Sequence, residues 1–276
     1  MKKLLLAAAL FLGLAATAVA EPTYLPNFVT ASDPSLPTTL FSLSNASDTA
    51  RLVRANVYSK TGQLSAIFNV ELPPRGTVSV NLRDTLNGET PICKGHFLVA
   101  NLKGLVGEDG MARGYIAFEE VSGCTTLTPG ETGYDGLLRD GAGIWGDWLL
   151  VDTTSEFAQG GELVKPATGL FEVRFGSKGK VVDGTELVIF APSANGTKPL
   201  PILAWSEAGN PVPLSVNLVG QFKPRATNRI DLDASIGVNA DFGRLQLDCR
   251  EIPCYVVGIL RSGIYDASLP AVKVGQ

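Results

Sequence analysis

Histidine is nearly missing from this chain: His96 is the only one in 276 residues. A Ser-His-Asp hydrolase needs a histidine base and a presented serine, yet His96 stands alone and no Gly-x-Ser-x-Gly elbow occurs. Zinc sites need several imidazoles or thiolates together, so no metal centre is expected. Cys93-Lys94-Gly95-His96 is not a haem attachment sequence, and His96 reads as an edge or loop residue. The glycine-rich stretch Gly141 to Gly146 lacks the Lys-Ser/Thr and the following helix of a phosphate-binding loop. No cofactor is expected.

Positive charge is also in short supply. The formal net charge is −4, and loss of a leader carrying Lys2 and Lys3 leaves the chain more acidic still. Such a surface argues against nucleic acid and anionic lipid as partners. Apart from Leu4 to Leu14 there is no long apolar run, and that one is short for a membrane span. Leu269 to Gln276 offers no apolar tail, so the mature chain is not expected to insert in a membrane. Helical periodicity is missing as well; only Leu82 to Leu86 and Asp233 to Ile236 suit single turns.

What is abundant is glycine, with 30 residues, and proline, with 17, the punctuation that many short strands require. Met1 to Ala20 has two lysines, an apolar stretch and the small-residue end Ala18-Val19-Ala20, the pattern of a cleaved signal peptide directing the chain to the periplasm or outside the cell. Glu21 to Pro37 carries four prolines beside Tyr24, Leu25, Phe28 and Val29. It suits an edge strand of its own domain or, alternatively, a strand donated to a neighbouring subunit.

Alternating apolar residues then predict strands at Thr39–Leu43, Leu52–Ser59, Ser65–Leu72 and Thr77–Leu82, and later at Glu186–Phe190, Leu200–Ser206, Val212–Val219, Asn228–Leu232, Gly243–Asp248 and Tyr255–Leu260. The two sets look like copies. Tyr58-Ser59 matches Trp205-Ser206, Pro74-Arg75-Gly76-Thr77 matches Pro224-Arg225-Ala226-Thr227, and Leu40 to Leu43 stands where Leu187 to Phe190 stands. The expected fold is all-β: two related antiparallel β-sandwich domains, Ig-like or jelly-roll-like, from an internal duplication. Their expected bounds are 21–125 and 166–276, joined by a loop-rich segment over 126–165 that carries a Trp-containing strand and begins as a long mobile loop.

Four cysteines in the exported part fit an oxidising compartment. Cys93 and Cys124 flank the runs His96–Asn101 and Tyr115–Glu120, read as one hairpin with its tip at Gly104 to Gly110; bridging them stabilises by about 3 to 4 kcal/mol in the chain-entropy model. Cys249 and Cys254 bracket Arg250 to Pro253 and are expected to pin a second hairpin tip, contributing about 2 kcal/mol.

Candidate ligand-binding residues are few. Trp145 and Trp148 lie three apart in a strand-like run, so they point to opposite faces and one is free to meet a partner. With Asp147 and Asp152 they make a candidate carbohydrate site. Asp147 with Asp152, or Glu119 with Glu120, also supplies the carboxylate pair a glycosidase needs. Asp231, Asp233, Asn239 and Asp241, and Glu108-Asp109 elsewhere, are acidic turns without EF-hand spacing and read as solvated.

Leu43-Ser44-Asn45-Ala46-Ser47-Asp48 with Asn81 to Asp84, and Trp145-Gly146-Asp147-Trp148 with Phe157 to Gly160, resemble segments of exported bacterial β-sandwich proteins of unknown function. The resemblance implies export; it carries over no catalytic residue and adds nothing about mechanism. The expectation is a secreted, non-catalytic structural or adhesive protein of the cell envelope or extracellular space, partnered by itself or by a glycan. The alternatives are a carbohydrate-binding module and an extracellular filament subunit that exchanges its N-terminal segment.

Overall fold

A computed structural model describes residues 22–60, 62–88, 99–100, 105–141, 143–154, 156–176, 184–191, 198–206, 211–218, 220–222, 225–231, 242–262 and 265–274. The expected signal peptide over 1–20, Cys93, His96, Pro224, Asp233, Asn239 and Asp241 lie outside the described residues. The first half runs β1 (Thr23–Thr30), β2 (Thr38–Asn45), β3 (Arg51–Ser59), β4 (Leu64–Leu72), β5 (Thr77–Asn81), the helical turn α1 (Leu82–Leu86), β6 (Val99–Ala100), β7 (Ala112–Val121), β8 (Ile144–Trp145), β9 (Asp147–Asp152) and β10 (Phe157–Glu162). The second half runs β11 (Leu170–Gly176), β12 (Gly184–Ala191), β13 (Lys198–Ser206), β14 (Pro211–Leu218), β15 (Gly220–Phe222), β16 (Arg225–Asp231), β17 (Phe242–Asp248), β18 (Tyr255–Ser262), β19 (Tyr265–Pro270) and β20 (Val272–Val274).

These strands form four antiparallel sheets. In stacking order the first is β10-β9-β2-β5 with β8 beside β2, the second β1-β7-β3-β4-β6, the third β15-β16-β12-β18-β19 and the fourth β14-β13-β17-β11-β20. Period-two alternation sends Val53, Ala55 and Val57 of β3 and Phe118 of β7 toward Phe41 and Leu43 of β2, closing the core of the first sandwich. Phe171, Val173 and Phe175 likewise meet Leu187 and Ile189 in the second.

The same pairing scheme recurs in both halves. β2 lies between β5 and β9 as β12 lies between β16 and β18; β3 lies between β4 and β7 as β13 lies between β14 and β17; β1 joins β7 as β11 joins β17; β10 joins β9 as β19 joins β18. Individual contacts recur too. Thr39 Oγ1 donates to the carbonyl of Val29 (2.9 Å) and accepts from its N–H (3.1 Å), clasping the crossover from β1 to β2. Thr185 Oγ1 makes the same two bonds to Gly176, both 2.8 Å, at the crossover from β11 to β12. Gly114 sits opposite Ser59 and Phe28, and Gly243 sits opposite Ser206 and Phe175. A Cβ on either glycine would lie 1.8 Å from Tyr58 O or 2.3 Å from Trp205 O, so only glycine fits.

Several expectations change. Superposing the two threonine clasps would pair Leu40 with Glu186 and Phe41 with Leu187, one residue away from the alignment that sequence similarity suggests. A slip of one turns every side chain of a strand to the other face, and Phe41 and Leu187 both face a core. Of the expected hairpin the tip is kept, where Val106 bridges Ala112 and the Gly107 N–H donates to Met111, but the described part of its first run, β6, pairs with β4, while β7 pairs with β1 and β3. Alternation identifies a strand without naming its neighbour. Cys124 is disulfide-bonded, while its expected partner Cys93 lies outside the described residues. Cys249 and Cys254 are bonded to each other, with Cα atoms 5.7 Å apart. They pin the crossover from the fourth sheet to the third rather than a hairpin, since β17 and β18 belong to different sheets. The segment Ile144–Glu162 supplies β8, β9 and β10 to the first sheet. β1 pairs within its own half along β7, and the C-terminal tail forms β19 and β20.

The halves join through aromatic side chains. Tyr24, Tyr58 and Tyr115 on the outer face of the second sheet pack with Val188, Phe190, Tyr255, Val257 and Ile259 of the third. The Phe190 ring lies 4.7 Å from Tyr24, 5.2 Å from Tyr115 and 6.5 Å from Tyr255. Gln159 adds a bidentate bond to the backbone of Ser268, donating to its carbonyl (2.8 Å) and accepting from its N–H (3.0 Å). Phe190→Ala removes the ring at the centre of this cluster and is expected to cost about 3–5 kcal/mol. Urea unfolding should then change from one transition to two; an unchanged single transition would refute the coupling of the halves.

Candidate functional site

The structure separates the four residues expected to form a binding site. Trp148 faces inward and is buried with Phe41 and Leu150 in the first core. Trp145 is 57% exposed on the outer face of the first sheet. Asp147 and Leu149 are exposed on that outer face, whereas Asp152 is buried on the inner side and accepts from the Thr154 N–H (3.0 Å). The two tryptophans thus take opposite sides, as their spacing requires. Of the four candidates, Trp145 and Asp147 remain on one accessible surface.

Neither carboxylate pair has the geometry for glycoside hydrolysis. Asp147 and Asp152 point to opposite faces and are about 17 Å apart along the strand, whereas the reaction wants roughly 5 to 9.5 Å across one bond. Glu119 is buried and Glu120 turns away from it to pair with Arg51. Glu119 instead belongs to a polar cluster that alternation alone did not reveal. Arg54 and Glu119 are direct cross-strand neighbours on the outer face of the second sheet. Both are buried, Arg54 completely.

This cluster is closed by the connection 122–143, which the composition suggested was mobile. Tyr134 is fully buried, and its hydroxyl donates to Glu119 Oε2. Asn56 Nδ2 also donates to Glu119 Oε2 (2.8 Å), and Asn56 Oδ1 accepts from Arg54 Nε (3.2 Å). The Arg54 guanidinium donates to the carbonyls of Thr125 and Leu127 and lies 5.7 Å from the Tyr134 ring centre. A buried cation thereby finds partners in loop backbone, and a buried anion in an amide and a phenol. The arrangement holds the loop down and leaves no accessible reacting group. Burial pushes the Tyr134 hydroxyl up to about 12 and lowers the Arg54 guanidinium. Tyr255, in the joint between halves, is likewise pushed up to about 12 by burial.

One small cleft of about 70 Å³ opens beside α1, lined by Thr30, Ser32, Arg83 and Val106 among others. The Arg83 guanidinium is engaged there by the carbonyls of Ala31, Pro34 and Leu36. Among the described residues no group of three or more His, Cys, Asp or Glu gathers to hold a metal, and no helix is long and apolar enough to cross a membrane. Compared with known proteins, the chain matches no family model, no curated protein and no solved structure.

The raised tyrosines give a signed pH dependence. A phenol held protonated by the fold stabilises fully below the unfolded value near 10 and loses that contribution as pH rises to about 12. Stability measured by urea at pH 9 to 12 should fall over that window, and Tyr134→Phe should flatten part of the fall. Equal slopes in the two proteins would contradict the assignment. Arg54→Met should cost about 3–5 kcal/mol by removing the cation beside the buried Glu119 and the donors to the Thr125 and Leu127 carbonyls, and should open the 125–134 loop to proteolysis.

Proposed function

We propose that the chain is an exported, non-catalytic structural or adhesive protein built by duplication of one β-sandwich unit. The observation that carries this reading is the aromatic joint between halves, which makes two sandwiches into one continuous stack of four sheets. A stack of this kind resists bending and presents its two terminal sheets far apart, as a spacer or adhesive module must. The duplication is supported by the repeated threonine clasps, the paired glycines Gly114 and Gly243, and the shared strand order. Export to the periplasm or beyond is supported by the leader pattern of residues 1–20 and by disulfide bonding.

A carbohydrate-binding role is the second reading, favoured by the exposed Trp145 beside Asp147. An indole on a flat sheet face offers a sugar ring an apolar platform, and an adjacent carboxylate accepts from hydroxyls.

Expression with the leader in a bacterial host should yield a chain beginning at Glu21 in the envelope or medium, without turnover on a broad glycoside panel. Turnover abolished by Asp147→Asn would overturn the non-catalytic reading. Glycan-array binding lost on Trp145→Ala would favour the second reading, and a flat array would count against it. Trp148→Ala is unsuited to that test because the ring is part of the core.

A further inference from the structure

The joint between the halves pairs unlike faces. If the halves are copies, the second and fourth sheets are one type and the first and third the other. Within the chain, the outer face of a second-type sheet packs on the outer face of a third-type sheet. One face of each type is left over: the outer face of the first sheet at one end and that of the fourth at the other. Register equates their residues with those already in the joint. Trp145, opposite Ser44, corresponds to Tyr255, opposite Phe190. Trp205, opposite Arg244, corresponds to Tyr58, opposite Tyr115.

Exposed apolar side chains collect on these two faces. Trp145 and Leu149 stand on the first sheet, at 57% and 40% exposure. Leu203, Phe242 and Val272 stand on the fourth, at 39%, 44% and 65%. Leu203 occupies the place of Asn56, which the 122–143 connection covers in the first half. The matching corner of the second half is the short disulfide turn, and nothing among the described residues covers Leu203.

Charge completes the match. On the first sheet Asp147 and Glu162 are direct cross-strand neighbours, both exposed. On the fourth, Arg174 and Arg244 are direct neighbours, both exposed, and Arg244 Nη1 lies 3.3 Å from Glu172 Oε2 on the same face. Like charges placed opposite each other destabilise a sheet; Glu172 answers one of the two arginines, and the face keeps the positive charge of the other, the sign that Asp147 and Glu162 need.

We propose that a second copy of this chain docks head to tail, the first-sheet face of one molecule on the fourth-sheet face of the next. The contact would repeat the joint inside the chain, with Trp145 and Leu149 meeting the Trp205 and Leu203 surface and Asp147 and Glu162 meeting Arg174 and Arg244. Such a contact is heterologous, so it does not stop at two copies. It differs from strand exchange, because β1 stays paired with β7 in its own molecule. The inference rests on the duplication reading and is independent of export and of catalysis.

The test is sedimentation velocity and negative-stain microscopy of purified Glu21–Gln276 over a range of concentrations and salt. The expected result is a ladder of linear oligomers that shortens with salt. Asp147→Lys with Glu162→Lys should weaken association at least about tenfold, as should Arg174→Glu with Arg244→Glu. Mixing the two variants should restore it, because each then offers the sign the other lacks, and this rescue also guards against a folding defect. A wild type that stays monomeric, a species that stops at the dimer, or association indifferent to both reversals would overturn the proposal. Glycan binding or turnover in the same preparation would bear on the proposed function and leave this result standing.

Discussion

The second sheet is buried on both faces, and that constraint organises the molecule. One face closes the first core with Val53, Ala55, Val57 and Phe118. The other holds tyrosines at one end and a charged pair at the other, and each end is covered. The tyrosine end is covered by the third sheet. The charged end is covered by the 122–143 connection, whose carbonyls accept from Arg54 and whose Tyr134 serves Glu119. Each half of the face thus chooses a cover of its own chemistry. A burial that left Glu119 without a donor would cost more than the apolar contact beside it returns.

The fourth sheet has the same strand order as the second without that burden. Counted from the paired glycines Gly114 and Gly243, Leu203 and Asp248 stand where Asn56 and Glu119 stand in the second sheet, and Asp248 is answered locally by Arg250 (2.9 Å from its Nε). The corner here is the short turn Asp248–Tyr255 rather than a long loop, and the Cys249–Cys254 bond fastens it. Backbone bonds from Cys249 to Gly169 and from Cys254 to Ala167 tie the same corner to the chain entering β11.

Much of the strand content was legible because alternation with period two is a local signal. Val53, Ala55 and Val57 announce a core face, and Leu82 to Leu86 reads as the single turn it is. Facing was legible for Trp145 and Trp148, since three residues along a strand reverse the side. Pairing was legible only in part: the turn across Gly107 to Gly110 forms and Val106 bridges Ala112, whereas β6 goes to β4 and β7 finds β3 and β1. Glu119 was legible only as one carboxylate of a pair with Glu120, because the partners that bury it, Arg54, Asn56 and Tyr134, come from distant parts of the chain. The clue available was Tyr134, the single aromatic ring of the 122–143 segment. Leu, Val and Ile are interchangeable by composition, so similarity over Leu40 to Leu43 cannot fix a register, whereas the Thr39 and Thr185 hydroxyls, which make matching contacts, are too common to notice.

Electrostatics bears on how the proposed contact between copies would form. The chain is acidic overall, so two copies repel in most orientations at distances within a Debye length. The proposed end-on contact would be the exception, since it brings the exposed Arg174 and Arg244 before Asp147 and Glu162. Repulsion elsewhere acts against side-by-side clumping of a β-rich protein. In that proposal net charge and local charge would work in the same direction: the first keeps the flanks apart, and the second favours the two end faces, which carry exposed apolar side chains.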